Sequence, residues 1–321
     1  MRTRFILGLC ALLVAASGAQ AQQKMTLRLD WKPGGQHTPF YFAKDKGYYA
    51  QEGVDLNIIP GSGSSDSVKQ LGTRSVDLAI VDALVLVQAA EQRVPVKAVA
   101  VYYQRTPIVL ISSKSKPITS VQQLLGDVKV GAGKGSAVYQ GLVAMLAANN
   151  LRPEQIKMVE IGFGVQPLLV KQVDALMGFT NTQPIELESA GYAAHEMFIS
   201  DHGVTAYGLT IASNDETIAK RPQAVSGFLR ATKKAVQELG GGARQAGIET
   251  IVKSVPEVSA AREMKALERT FPLWSAKGAD TASFGAQSEE GWRQTIATAQ
   301  RVGLVEKAPA PGAVFNASFL K

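Results

Sequence analysis

An internal repeat constrains this chain more than any other feature of its sequence. The first copy starts with the alternating stretch Thr26–Asp30, the loop Trp31–Thr38 and an apolar-periodic helix over about Pro39–Glu52. Strand Val54–Ile59, loop Pro60–Ser65, a helix ending near Gly72 and strand Val76–Val81 follow, stopping at Asp82. The second copy runs through strand Val128–Ala132, loop Gly133–Gly135, helix Ser136–Asn149 and strand Lys157–Ile161. Loop Gly162–Gly164, helix Val165–Val173 and strand Asp174–Phe179 close it. The pairs Val76-Asp77 and Val173-Asp174 stand at matching places in the two copies. Strands separated by helical patterns of about 10–15 residues predict parallel sheets with helices on their faces. Two copies predict two similar α/β lobes, and a chain of 321 residues favours two lobes over one core. Beyond Ile211 the pattern turns helical over Arg221–Leu239, Ala243–Val252, Val258–Thr270 and Ser288–Val302. These helices must cover a lobe, because nothing else remains to bury their apolar faces.

Open α/β sheets bind ligands beyond the carboxyl ends of their strands. Two facing lobes therefore share one cleft. It is lined by Trp31–Thr38, Gly61–Ser65 and Asp82–Ala83 on one side, and by Gly133–Ala137, Gly162–Gly164 and Phe179–Asn181 on the other. Any single one of these loops is equally well the glycine turn that a βα unit needs.

Composition removes several alternatives. The excess of 34 Lys+Arg over 27 Asp+Glu is spread along the chain, so no nucleic-acid partner is expected. One cysteine, Cys10, and three histidines, His37, His195 and His202, exclude a disulfide scaffold and a thiolate cluster. No metal and no cofactor are expected. Arg2 and Arg4, the apolar run Phe5–Ala16 and the small-x-small Ala19-Gln20-Ala21 read as a signal peptide over residues 1–21, cleaved after Ala21. The apolar run is far shorter than the roughly 20 residues that span a bilayer. The expected product is a soluble periplasmic protein starting at Gln22.

Each candidate site residue carries two readings. Trp31 can stack on a flat ligand, and His37, next to Gln36, can hydrogen-bond one or cap the following helix. Gly61-Ser62-Gly63-Ser64-Ser65 and Gly133-Lys134-Gly135-Ser136-Ala137 offer amides and hydroxyls to a carboxylate, sulfonate or carbonyl oxygen. Alternatively, Ser65 and Ser136 are helix caps. Neither stretch matches a P-loop. Asp82 ends an apolar strand and either accepts a ligand N–H or caps the next helix. Tyr102, Tyr103 and Arg105 form an aromatic wall with one cation. Asn181 offers a donor and an acceptor, and Tyr207 a further stacking surface. The expected ligand set is Trp31, Gln36, His37, Gly61, Ser62, Ser64, Asp82, Tyr103, Gly135, Ser136, Asn181 and Tyr207.

The stretch Leu29-Asp-Trp-Lys-Pro-Gly-Gly-Gln-His-Thr-Pro-Phe-Tyr-Phe-Ala43, followed by Lys46-Gly-Tyr-Tyr49, Glu52-Gly-Val-Asp-Leu56 and the "SVDLAIVD" run, closely resembles the NMT1/THI5-like family. That family comprises periplasmic solute-binding proteins of ABC importers and related thiamine-pyrimidine synthases. The resemblance implies a type II periplasmic-binding-protein fold with crossovers near Ile108–Ser112 and Tyr207–Ile211. One lobe would comprise residues 22–109 and 211–321, the other 110–210. It further implies a monomer that captures a small-molecule ligand and delivers it to the permease subunits of an ABC importer. The synthase branch of the family has a lysine and a donor histidine just after the "VDLAI" strand and a cysteine-rich iron motif near the second crossover. Here Val81 and Val85 fall at those positions, and Gly203–Leu209 contains no cysteine. Without an amine no Schiff base to a pyridoxal cofactor forms, so a binding protein rather than an enzyme is expected. A heteroaromatic solute resembling a thiamine-pyrimidine precursor is the first ligand reading, with a sulfonate, nitrate or aromatic carboxylate as the alternative. Pyrimidine-binding relatives tend to carry an acid after the crossover tyrosine, whereas Tyr207 is followed by Gly208. Amino-terminal sequencing of exported protein should read from Gln22, and an intact Met1 would contradict the export reading.

Overall fold

A computed structural model describes residues 21–134, 136–275 and 281–320. The expected signal segment, apart from Ala21, and Gly135 lie outside the described residues. The chain begins with β1 (Gln23–Arg28), α1 (Thr38–Asp45), α2 (Tyr48–Gln51), β2 (Val54–Ile59), α3 (Ser64–Gly72), β3 (Leu78–Asp82), α4 (Ala83–Glu91) and β4 (Val96–Val101). It continues with β5 (Ile108–Ser113), β6 (Lys129–Ala132), α5 (Ala137–Ala148), β7 (Lys157–Glu160), α6 (Gln166–Leu169), β8 (Ala175–Phe179), α7 (Gln183–Ser189) and β9 (Ala194–Phe198). The last part holds β10 (Leu209–Asn214), α8 (Asp215–Lys220), α9 (Pro222–Gly240), α10 (Arg244–Ser254), α11 (Ala260–Thr270), α12 (Glu289–Arg301) and α13 (Pro311–Val314).

The strands make two five-stranded sheets, ordered β2-β1-β3-β10-β4 and β7-β6-β8-β5-β9. Replacing β1, β2, β3, β4 and β10 by β6, β7, β8, β9 and β5 converts one order into the other. The repeat is therefore a repeat of topology. Its paired Val-Asp dipeptides have a shared structural role. The Asp77 carboxylate accepts from the Thr26 amide at 2.8 Å while its own amide donates back to the Thr26 carbonyl at 3.1 Å. Asp174 makes the same pair of bonds with Lys129, each at 2.9 Å. In both lobes the aspartate thus clamps the start of the third strand's segment to the first strand. Asp77 alone also pairs with Arg221, which donates to the Lys24 carbonyl at 3.0 Å and so ties the segment entering α9 to the sheet.

The sheets are mixed, where parallel ones were expected. β10 runs antiparallel to β3 and β4, and β5 antiparallel to β8 and β9. The reason is the route of the chain. Leaving β4 at its carboxyl end, the chain crosses directly to the other sheet through residues 102–107. It enters the second sheet from the side where that sheet's parallel strands end, so it must run against them. The return through residues 199–208 into β10 repeats this geometry.

Two helices differ from expectation. The helix over 39–52 is broken at Gly47, whose φ of +71° favours glycine, and becomes α1 and α2. The helix over 165–173 shrinks to α6, with the chain turning at Lys171, φ +56°. The carboxyl-terminal helices cover the first sheet as expected. Buried Ala224, Val225, Phe228, Leu229, Thr232, Ala235, Val236 and Leu239 recur at helical spacing along α9. Phe228 stacks on Tyr49 at 5.3 Å with planes 7° apart. On the opposite face α12 brings the buried Trp292 over a cluster with α3 and α4. Among the described residues no helix is long and apolar enough to cross a membrane.

The two clamps make unequal predictions. Asp77→Ala loses an arginine pair as well as a backbone bond and should lower unfolding free energy by about 2–3 kcal/mol, while exposed Asp174→Ala should cost about 1 kcal/mol. Denaturant midpoints of the two variants check the order.

Candidate functional site: an interlobe cleft

The loop after β1 is held from both ends. The Gly34 amide donates to His37 Nδ1 at 3.2 Å, so the ring proton sits on Nε2, which donates to Asp30 Oδ1 at 2.8 Å. His37 is fully buried with both nitrogens engaged, so it positions Asp30 instead of presenting itself to a ligand. This corrects the expected contact. Gly35 donates to the buried carboxylate of Glu263 on α11 at 2.6 Å, and a Cβ at Gly35 would sit 1.9 Å from the Glu263 carbonyl. Only glycine admits that approach. The Gln36 carbonyl accepts from the Tyr102 hydroxyl.

Around this loop several expected residues come together. Asp82 caps α4, its Oδ1 accepting from the Leu84 and Val85 amides at 2.9 and 3.4 Å. Its Oδ2 has no partner among the described residues. Desolvation by burial, helped by the negative charge of nearby Asp30 and opposed by the Leu84 and Val85 amides, pushes the Asp82 carboxyl up to about 6. Tyr102 and Tyr103 stack at 4.8 Å and are buried, forming the wall's floor. Burial, reinforced by the Asp30 charge, holds the Tyr103 hydroxyl well above the ordinary phenol range. That hydroxyl makes no hydrogen bond, although Asn181 and Thr270 are near enough to favour its ionised form. Asn181 Nδ2 reaches Thr270 on α11 at 3.4 Å. Arg105 turns away from the wall, stacking on Phe198 at 4.1 Å and facing Asp201 at 3.6 Å, and so braces the two crossings.

Other expected contacts are engaged elsewhere. The Gly61 and Gly63 amides donate to the Trp31 and Asp30 carbonyls at 3.0 and 2.8 Å, and a Cβ at Gly61 would lie 1.8 Å from the Leu29 carbonyl. Ser62 joins the Arg28–Asp66 pair, and the Ser64 hydroxyl accepts from the Asp82 amide at 2.9 Å. Ser136 caps α5 through the Tyr139 amide at 3.2 Å and donates to the Gly133 carbonyl at 2.6 Å, so its hydroxyl is occupied. Gly135 lies outside the described residues. Tyr207 is no cleft surface: it packs edge-on against Trp292 at 5.3 Å, and its hydroxyl accepts from the Ser288 amide at 3.1 Å.

Two residues escaped the sequence reading. Asp30, inside the quoted motif, is the charge to which Asp82, Tyr102 and Tyr103 all respond. Phe163 is exposed between two glycines and meets the exposed Trp31, their ring centroids 6.0 Å apart. A bulky aromatic flanked by Gly162 and Gly164 in a strand-to-helix loop was the available signal. The lobes also meet along α11, where Arg269 donates to Glu196 at 2.6 Å and to the Thr180 carbonyl at 3.3 Å, and Lys265 to Glu188 at 2.7 Å. The described residues contain no cluster of three or more potential metal ligands.

Two α/β lobes crossed twice by the chain, with strand ends facing one cleft, define the periplasmic-binding-protein fold. The aliphatic sulphonate binding protein SsuA of Escherichia coli shares that fold at a TM-score of 0.70 and 15% identity, covering 92% of this chain and 94% of that one. The family model "NMT1/THI5 like" matches residues 35–241, and the chain belongs to this family. The riboflavin-binding protein RibY of Chloroflexus aurantiacus is 26% identical over 91% of this chain and 85% of its own. The 4-amino-5-hydroxymethyl-2-methylpyrimidine phosphate synthase of Legionella pneumophila is 27% identical over 79% and 81%. The formylaminopyrimidine-binding protein of Halalkalibacterium halodurans is 24% identical over 88% and 86%.

The raised Asp82 carboxyl has a stability consequence. With its folded pKa about 6, above the unfolded value of 3.8, the native state holds the proton more tightly. Its contribution is therefore fully present below pH 3.8 and is lost as pH rises through 6. Relative to Asp82→Asn, wild type should lose stability across that interval and level off above it. Paired thermal unfolding at stepped pH checks this.

Proposed function

We propose that this protein is the solute-binding component of an ABC importer and holds a small planar nitrogen heterocycle, of the thiamine-pyrimidine-precursor kind, between its lobes. The observation that carries the ligand class is the pair of carboxylates, Asp30 and Asp82, at neighbouring strand ends of the first lobe. Asp30 lies just beyond the end of β1 and Asp82 is the last residue of the adjacent β3, close enough that the charge of Asp30 raises the Asp82 carboxyl. Arg28 and Arg269 are paired with Asp66 and Glu196. Two carboxylates repel a nitrate or sulfonate and attract the amino and ring N–H groups on a heterocycle's edge. They take the place of the acid missing after Tyr207. The Tyr103 hydroxyl and Asn181 amide supply further polar contacts, and Trp31 an apolar face. The names of the riboflavin- and formylaminopyrimidine-binding relatives support the same chemistry.

The synthase reading is disfavoured by Val81, which is buried in β3, and by Val85, neither of which offers the required amine or imidazole. In the proposed cycle, residues 22–109 with 211–321 close against residues 110–210 by bending at the two crossings. The monomer, exported after cleavage behind Ala21, then meets the permease subunits. The likeness to SsuA and the amides at the start of α5 favour a second reading, an anionic sulfonate or nitrate.

A thermal-shift panel separates the readings: riboflavin, 4-amino-5-hydroxymethyl-2-methylpyrimidine, an aliphatic sulfonate, nitrate and benzoate. A heterocycle at 100 times its Kd should stabilise the protein by about 2.7 kcal/mol. Asp82→Asn should weaken that binding about tenfold, since a hydrogen bond to a charged group contributes about 1.5–3 kcal/mol. Stabilisation by sulfonate or nitrate alone would overturn the proposal.

A further inference from the structure

The other aromatic pairs among the described residues lie in core clusters or pack against them, as with Phe40 and Tyr102 or Tyr49 and Phe228. Trp31 and Phe163 are different. They are 46% and 74% exposed, and they come from opposite lobes, Trp31 following β1 and Phe163 following β7. Phe163 belongs to none of the core clusters. It is carried by Gly162, above which a Cβ would meet nothing within 4 Å, and by Gly164 at φ +120°, a conformation reserved for glycine. A large apolar side chain that touches only another exposed ring is an unfavourable placement unless something covers both.

We propose that Phe163 is the second face of an aromatic clamp that closes, with Trp31, on a planar ring, which makes it a specificity-determining residue for the solute. The inference rests on the heterocycle reading above and adds the residue that selects for flatness. The rings lie 6.0 Å apart with planes tilted by 39°. A ring inserted between them needs contact of about 3.5 Å on each face, roughly 7 Å in all. To admit a ring, Trp31 and Phe163 must therefore level their tilt and move apart by about 1 Å. A trigonal or tetrahedral anion has no extended face to fill such a slot, whereas a flat heterocycle covers both exposed rings at once. Because the jaws belong to different lobes, filling the slot also favours the closed arrangement.

The test uses the mature chain from Gln22, with riboflavin and 4-amino-5-hydroxymethyl-2-methylpyrimidine as probes. The chain has three tryptophans, and Trp274 and Trp292 are fully buried, so acrylamide quenching reports on Trp31. Without any probe, Phe163→Ala should increase quenching of Trp31, since it removes the ring that covers it. With a probe that wild type binds, titration calorimetry should show Phe163→Ala weakening affinity at least about tenfold, or ~1.4 kcal/mol. Phe163→Leu should lose most of the same affinity, and Phe163→Trp should stay within about threefold of wild type. If wild type binds a probe but Phe163→Ala or Phe163→Leu binds it equally well, the clamp is wrong and the heterocycle reading stands. If wild type binds neither probe and only the sulfonate or nitrate of the panel, both are overturned.

Discussion

Everything in this molecule depends on the chain crossing between its two sheets twice. Each crossing leaves a sheet where its parallel strands end and enters the other at the corresponding side. The strand laid down on arrival, β5 or β10, must run antiparallel, and it becomes an internal strand of its new sheet. Both sets of strand ends are thereby turned toward one cleft. The two crossings, the tyrosine floor and the strand-end loops become neighbours without any long connection. Tyr102 and Tyr103, in the first crossing, form the floor because the chain has nowhere else to pass.

The second constraint is local. Asp30 lies beyond the end of β1 and would be mobile at a loop start if nothing held it. His37, reached after a turn that brings Gly34 onto its Nδ1, fixes the carboxylate from below, while Glu263 holds the turn through Gly35. The same helix that carries Glu263 places Arg269 on Glu196 and Thr180 of the other lobe. α11 therefore connects the loop after β1 to the other lobe. Surface pairs such as Lys265–Glu188 add little to this on their own, of order 0–1 kcal/mol.

The repeat, the strand positions and the cleft loops were legible because periodicity and glycine spacing are local properties. Parallel sheets were expected because a βα pattern says nothing about a strand contributed from another lobe. The split at Gly47 was missed because apolar spacing continues across it. Site residues divided by kind. Trp31, Asp82, Tyr103 and Asn181 lie near one another as their places in the sequence suggested, whereas Ser62, Ser136, His37 and Tyr207 bond within the protein. Whether a hydroxyl or imidazole is already engaged depends on partners such as Gly133, Ser288 or Asp30, and no spacing rule reveals them. Phe163 lay inside the expected cleft loop Gly162–Gly164, but its meeting with Trp31 shows only when the two lobes are seen together.

The central claim is that two carboxylates and exposed aromatic faces, not helix-bound anion contacts, select the solute. A crystal structure of the protein with its tightest-binding panel ligand tests this most directly. The account predicts a planar ring in contact with Trp31, its N–H edge within hydrogen-bond distance of Asp30 or Asp82. A sulfonate or nitrate held by the amides at the start of α5, with Trp31 untouched, would contradict it.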